Sequence, residues 1–201
     1  MTRRVVLASG NAGKLREFSE LLAGMDFELV RQSHLGVEPP PETGTSFLEN
    51  ALLKARNASR LTGLPAIADD SGIEVDALDG APGVLSARYA GENASDEANL
   101  DKLLVALRNV PAPRRSARYR CVIVYVDRFD DPQPLVGHGT WEGSLIDGRR
   151  GSGGFGYDPA FVARGESRTV AEMPAEEKNS QSHRGQAMRA FLAQLSRRAR
   201  A

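Results

Sequence analysis

The stretch from Val5 to Leu22, VVLASGNAGKLREFSELL, changes its hydrophobic period partway along. Val5 to Ala8 is an unbroken apolar run, the pattern of a strand buried on both faces. From Gly13 onward Leu15, Phe18 and Leu22 recur at steps of three and four, which predicts a helix over Gly13 to Leu22 with one buried stripe. Strand, glycine-bearing turn and helix in succession are the repeating step of a layered α/β or α+β fold. The alternation continues. Phe27 to Gln32 reads as a strand. Pro39-Pro40-Pro41 makes Val37 to Gly44 a loop. Ser46-Phe47-Leu48-Glu49 has capping-box spacing and opens a helix to about Leu61, with Phe47, Ala51, Ala55 and Ala58 inward. Asp96 to Leu107 carries a stripe of Leu100, Leu103, Leu104 and Leu107, and Pro111 to Arg115 interrupts it. Ala117 to Asp127 and Leu135 to Gly139 read as strands, with Thr140 to Leu145 continuing the second. Ser182 caps a closing helix to about Arg198 with Ala187, Phe191 and Leu195 inward.

The chain has 201 residues, enough for one domain with a sizeable core or two closely joined lobes. Its 26 basic and 26 acidic residues cancel. No global field or basic stripe therefore draws it to nucleic acid or to an anionic membrane, and any attraction for phosphate must be local. The single Cys121 sits in the apolar run Cys121 to Val126. A core thiol is expected there, without a disulfide framework or a cysteine zinc site, which suits a reducing, cytosolic setting. Only Val5 to Ala8 is apolar behind Met1-Thr2-Arg3-Arg4, far short of a secretory signal, and no run is long enough to span a bilayer.

Four segments carry candidate chemistry. Ala66-Ile67-Ala68-Asp69-Asp70-Ser71-Gly72 reads as a strand after the Leu64-Pro65 turn, ended by Ser71-Gly72 and followed by a hairpin of Ile73 to Ala77 around Asp79-Gly80. Neighbouring side chains in a strand point to opposite faces, a rule that relaxes at a strand end. Either one aspartate caps a turn while the other is solvated, or the pair attends a cation. Ser9-Gly10-Asn11-Ala12-Gly13-Lys14 joins the first strand to the first helix. Unpaired amides, the helix dipole and Lys14 make phosphate a natural ligand, although Leu15 stands where a Walker A loop needs Ser or Thr. The competing reading is a tight connection with a solvated lysine. Gly151-Ser152-Gly153-Gly154-Phe155-Gly156-Tyr157-Asp158-Pro159 lets backbone approach a ligand, with Phe155 as a stacking face or a core residue. Lys178, His183 and Arg184 cluster before or at a helix start, where cations oppose the dipole. They point to an anion or a base edge, or else form a solvated polar cap. Phosphate donors, metal carboxylates and a glycine-aromatic-basic group together suit a nucleotide with Mg²⁺.

Six blocks occur in order: Ser9 to Lys14, Ser46 to Ala51, Ala66 to Gly72, Gly80-Ala81-Pro82-Gly83-Val84-Leu85-Ser86-Ala87-Arg88-Tyr89, Gly154 to Pro159, and Ser182-His183-Arg184-Gly185. In these the chain resembles, over nearly its whole length, the inosine triphosphate pyrophosphatase family, whose bacterial members hydrolyse inosine, deoxyinosine and xanthosine triphosphates. The resemblance implies an α/β fold with an elongated mixed central sheet flanked by helices. It implies a single domain over 1–201 made of two lobes, with the active-site cleft between them. It also implies a cytoplasmic homodimer that requires Mg²⁺ and releases a nucleoside monophosphate and pyrophosphate. By position, Ser9, Gly10, Asn11, Ala12, Gly13 and Lys14 match the triphosphate-binding turn, and Lys54 a further phosphate lysine. Asp70 matches the catalytic base and a metal ligand, Glu42 the second metal ligand, and Asp69 nearby support. Ser71, Phe155, Gly156, Tyr157, Asp158, Lys178, His183 and Arg184 match the nucleoside pocket. Two other functions compete: a nucleotide sensor without turnover, and a pyrophosphatase for other modified nucleotides.

Overall fold

A computed structural model describes residues 3–9, 18 and 27–198. Six strands lie in one sheet: β1 (Arg3–Leu7), β2 (Phe27–Arg31), β3 (Ala66–Val75), β4 (Ser116–Val126), β5 (Leu135–Leu145) and β6 (Phe161–Ala163). Their order is β2-β1-β3-β4-β5-β6. β1 runs parallel to β2 and β3, and β5 runs antiparallel to β6, so the sheet is mixed, as expected. Among the described residues four α-helices are delimited: α1 (Phe47–Thr62), α2 (Asp96–Ala106), α3 (Ala175–Gln181) and α4 (His183–Arg198). The helix predicted over Gly13 to Leu22 lies outside the described residues except for Phe18, which is helical and fully buried.

The start of α1 follows from its cap. Ser46 Oγ accepts from the Glu49 amide at 3.2 Å, while the Glu49 carboxylate turns back to the Thr45 amide at 2.7 Å and its hydroxyl at 3.0 Å. The Thr45 contacts hold the Glu49 carboxyl below its ordinary pKa. Along the inward face Ala51, Ala55 and Ala58 are fully buried, and Asn50 and Lys54 are buried with them.

The expected strand end at Ser71-Gly72 is corrected: β3 continues through both residues to Val75. Gly72 acts as a site of close approach instead of a breaker. A Cβ there would lie 2.4 Å from Ser86 Oγ and 2.5 Å from the Gly83 carbonyl. Ser86 Oγ in turn accepts from the Ile73 amide at 2.9 Å and donates to the Gly83 carbonyl at 2.6 Å. The expected hairpin is corrected too. After β3 the chain takes a single helical turn at Asp76–Leu78 and returns with one isolated bridge, Glu74 to Pro82. Pro82 brings no amide hydrogen to extend a ladder, and Gly83–Arg88 is already a 3₁₀ helix. Leu135 to Leu145 is one strand, whereas β6 and α3 were not expected.

Two compact units result. The first is Met1–Asp70, Cys121–Gly139 and Arg184–Ala201, and the second is Ser71–Arg120 and Thr140–His183. Val5, Leu7, Phe18, Ile67, Ile123, Met188 and Phe191 form the core of the first. Ile73, Leu100, Leu103, Trp141 and Phe161 anchor that of the second. β3 crosses from one unit into the other between Asp70 and Ser71. Gly72→Ala is expected to lower the unfolding free energy by ~1–3 kcal/mol, the usual cost of overpacking. Urea titration would measure it, and a wild-type midpoint would mean the Gly83–Ser86 turn yields freely.

Candidate functional site

Because β3 stays a strand, Asp69 and Asp70 keep the strand's alternation, and each finds its own partners. Both are buried, at 1% and 5% exposure, which removes the reading of one capping and one solvated aspartate.

Asp70 meets α1, where Asn50 and Lys54, four residues apart, share one face. Lys54 Nζ donates to Asp70 Oδ1 at 2.9 Å and to Glu42 Oε1 at 2.8 Å. Asn50 Nδ2 donates to Asp70 Oδ2 at 3.3 Å. Burial alone would push the Lys54 ammonium down. The charges of Asp70, Asp69 and Glu42 outweigh it and hold the ammonium above its ordinary pKa. Lys54 therefore stays charged at neutral pH. A cation already lies against both Glu42 and Asp70, and their donors are hard carboxylate oxygens, so this pair fits Mg²⁺. Among the described residues no group of three or more His, Cys, Asp or Glu side chains converges to hold a metal alone. An ion here would complete its shell with substrate phosphate and water.

Asp69 meets α4. Arg184 Nε lies 3.7 Å from Asp69 Oδ2, and both side chains are almost completely buried. A cation in the first turn of a helix opposes the helix dipole, and Asp69 supplies the compensating charge.

A second group lies within the second unit. Asp158 Oδ2 accepts from Lys178 Nζ at 2.9 Å and from the Phe155 amide at 2.9 Å. Asp158 Oδ1 accepts from the Tyr119 hydroxyl at 3.0 Å. The Tyr119 ring stacks on the His183 imidazole at 4.6 Å between centroids and 9° between planes. Lys178 Nζ lies 4.6 Å from the centroid of Phe155, a cation–π contact. The loop itself is pinned: Gly156 N donates to Asp96 Oδ2 at 2.8 Å, and the Tyr157 hydroxyl donates to the Ser86 carbonyl at 2.7 Å. Burial raises the pKa of that Tyr157 phenol well above the ordinary range.

The structure thus brings Glu42, Lys54 and Asp70 together, and separately Phe155, Asp158, Lys178 and His183. Lys178, His183 and Arg184 are all buried, which replaces the solvated-cap reading. Ser71 is half-buried on β3 beside Asp70, and Ser9 is half-buried after β1. Gly10, Asn11, Ala12, Gly13 and Lys14 lie outside the described residues. Sequence reasoning gave no role to Asn50 or Tyr119. A polar residue at i−4 from Lys54, on a face otherwise of alanines, was the available signal for Asn50. Tyr119 sits in a strand-forming run and reads as core.

Breaking one side of a buried ion pair costs ~3–5 kcal/mol, while replacing both partners is often near neutral. Asp158→Asn is therefore expected to destabilise the protein on that scale, and combining it with Lys178→Met should restore much of the loss. Denaturant unfolding of the two single variants and the double measures this, and simply additive losses would deny the coupling.

Residues 5–194 match the Ham1 family. The dITP/XTP pyrophosphatase of Pectobacterium atrosepticum is 56% identical over 94% of this chain and 96% of its own. That of Methylococcus capsulatus is 56% identical over 97% of each. Among solved structures, a HAM1 protein from Coxiella burnetii superposes with a TM-score of 0.90 at 46% identity, covering 97% of this chain and 99% of that one.

Proposed function

This chain belongs to the Ham1 family, and from that premise we propose that it hydrolyses unusual purine nucleoside triphosphates, those of inosine, deoxyinosine and xanthosine. The products are the nucleoside monophosphate and pyrophosphate. The enzyme works with Mg²⁺ as a cytoplasmic homodimer, with neither nucleic acid nor membrane as a partner. The observation that carries the reading is the Lys54 ammonium held against both Glu42 and Asp70. Oxygen ligands for a hard cation and a permanent positive charge meet at one place, as triphosphate chemistry requires.

Release of pyrophosphate means that the α–β bridge is cleaved, and the family resemblance assigns the attack to the α-phosphorus. A water oxygen bonds to the α-phosphorus, the bridging oxygen to the β-phosphorus leaves, and the proton of the water goes to a base. Asp70 is that base, with Lys54 and Asn50 fixing its carboxylate plane. Lys54 and Lys14 offset charge on the phosphate chain, to which Ser9 and the residues up to Gly13 are assigned by their match to the family's positions. Glu42 and Asp70 would hold Mg²⁺, which when bound would supply Lewis-acid neutralisation of charge on the phosphates. Ser71 and the Phe155-Gly156-Tyr157-Asp158 loop attend the nucleoside. Phe155 offers a stacking face, with Lys178 Nζ lying against its ring. Hypoxanthine and xanthine carry an acceptor oxygen at C6, adenine carries a donor, and Arg184 can only donate. His183, stacked on Tyr119, is assigned to the nucleoside by its match to the family's position.

Incubation with Mg²⁺ and a panel of nucleoside triphosphates tests the reading. Monophosphate and pyrophosphate are expected from inosine and xanthosine triphosphates. Diphosphate and phosphate would reject it, and bound but unconverted nucleotide would indicate a sensor. Asp70→Asn is expected to fold and to lose ~10²–10⁴-fold in kcat, the usual contribution of a general base. Arg184→Ala is expected to lower kcat/KM for inosine triphosphate much more than for adenosine triphosphate. A buried donor facing the wrong edge discriminates by up to ~10⁴-fold. An unchanged ratio of the two would remove Arg184 from base recognition.

A further inference from the structure

We propose that Asn50 is a positioning residue that sets the relation between Glu42 and Asp70, and through it the affinity for the divalent ion. The proposal rests on reading those two carboxylates as the metal ligands.

Asn50 is completely buried in the first turn of α1, on the face that also buries Ala51 and Lys54. Asparagine has poorer helix propensity than alanine by roughly 0.5–0.7 kcal/mol, and a buried amide must find partners for both its ends. It does so with two separate segments. Its Nδ2 donates to Asp70 Oδ2 on β3. Its Oδ1 accepts from the Gly44 amide at 2.8 Å, two residues after Glu42 in a segment without regular structure. The fit at Gly44 is tight: a Cβ there would lie 2.6 Å from Asn50 Oδ1 and 2.7 Å from Glu49 Cβ. One planar amide therefore ties the strand carrying Asp70 to the loop carrying Glu42.

Lys54 contacts the same two carboxylates, but its charge competes with any divalent ion for their oxygens. The Asn50 amide is neutral, so it can keep both bonds with an ion present. Its donor also occupies one side of Asp70 Oδ2, which limits the directions in which that carboxylate can turn. Groups that orient ligands in this way are commonly worth ~10–100-fold in metal affinity or activity.

Mn²⁺ binding in the absence of nucleotide, followed by the paramagnetic signal of the free ion, reads the proposal independently of turnover. Asn50→Ala removes both arms. Gly44→Ala removes no side chain of the site, but its Cβ would press on the Asn50 amide oxygen and on Glu49 Cβ and so displace the amide; it decides the matter alone if Asn50→Ala does not fold. Each folded variant is expected to raise the Mn²⁺ dissociation constant ~10-fold or more. The Mg²⁺ concentration for half-maximal turnover should rise with it, while KM for inosine triphosphate at saturating metal stays within about twofold. A purely structural residue would lower the melting temperature and leave the metal constants unmoved. Wild-type Mn²⁺ affinity in either folded variant overturns the proposal, as does a native protein that takes up no Mn²⁺. Weakened Mn²⁺ binding in the variants of a protein that hydrolyses no triphosphate would instead sustain the role of Asn50 and reject the activity.

Discussion

Two consecutive aspartates in a buried strand must face opposite ways, and burying either one uncompensated costs several kcal/mol. That constraint organises the first unit. Asp70 requires a cation from one direction and finds Lys54 on α1. Asp69 requires one from another direction and finds Arg184 in the first turn of α4. Neither helix is free to shift by a turn without stranding a charge. The small residues that α1 buries, Ala51, Ala55 and Ala58, allow its backbone to lie close, so that a lysine reaches a carboxylate on the strand and another on the Pro39-Pro40-Pro41 loop.

Much of this was legible where the signal is local. The Ser46 cap, the unbroken apolar run of Val5 to Ala8 and the leucine stripe of Asp96 to Leu107 each report a short-range preference, and α1, β1 and α2 form where those preferences point. Ser71-Gly72 shows the limit of such signals. The pair reads as a terminator because serine and glycine favour turns, yet Gly72 is small so that Ser86 and Gly83 can lie against it. Only the tertiary partner gives the glycine its meaning. α3 escaped for a related reason: Ala175 to Gln181 carries no apolar stripe, and its buried residue is the charged Lys178. β6 has three residues, too few to display a period.

The residues of the site divide the same way. Carboxylate pairs, glycine-rich loops and clustered cations announce themselves by type, so Asp70, Asp158 and Lys178 could be singled out, whereas Glu42 and Lys54 came only from the match to the family's positions. Their neutral partners do not announce themselves in this way. The i−4 spacing places Asn50 on the face of Lys54 but does not name its partner, and Tyr119 in a strand is an ordinary core occupant whose phenol meets a carboxylate far away in sequence.

Those neutral partners reveal a common construction. Asp70 has one oxygen on Lys54 and the other on Asn50, and Asp158 has one oxygen on Lys178 and the other on Tyr119. In each case the lysine offsets the charge, while a neutral donor from a different residue holds the second oxygen. A carboxylate gripped by a lysine alone can still turn about its Cβ–Cγ bond; one gripped at both oxygens has its plane fixed. The two carboxylates then differ in what else they touch. Asp158 accepts a further bond from the Phe155 amide and, through Lys178, sets a cation against the Phe155 ring, so its fixed plane is passed on to an aromatic face. Asp70 shares its lysine with Glu42, so its fixed plane is passed on to a second carboxylate. The same two-point grip therefore leads to an aromatic ring in one place and to a second carboxylate in the other, and the neighbour that the lysine reaches decides which.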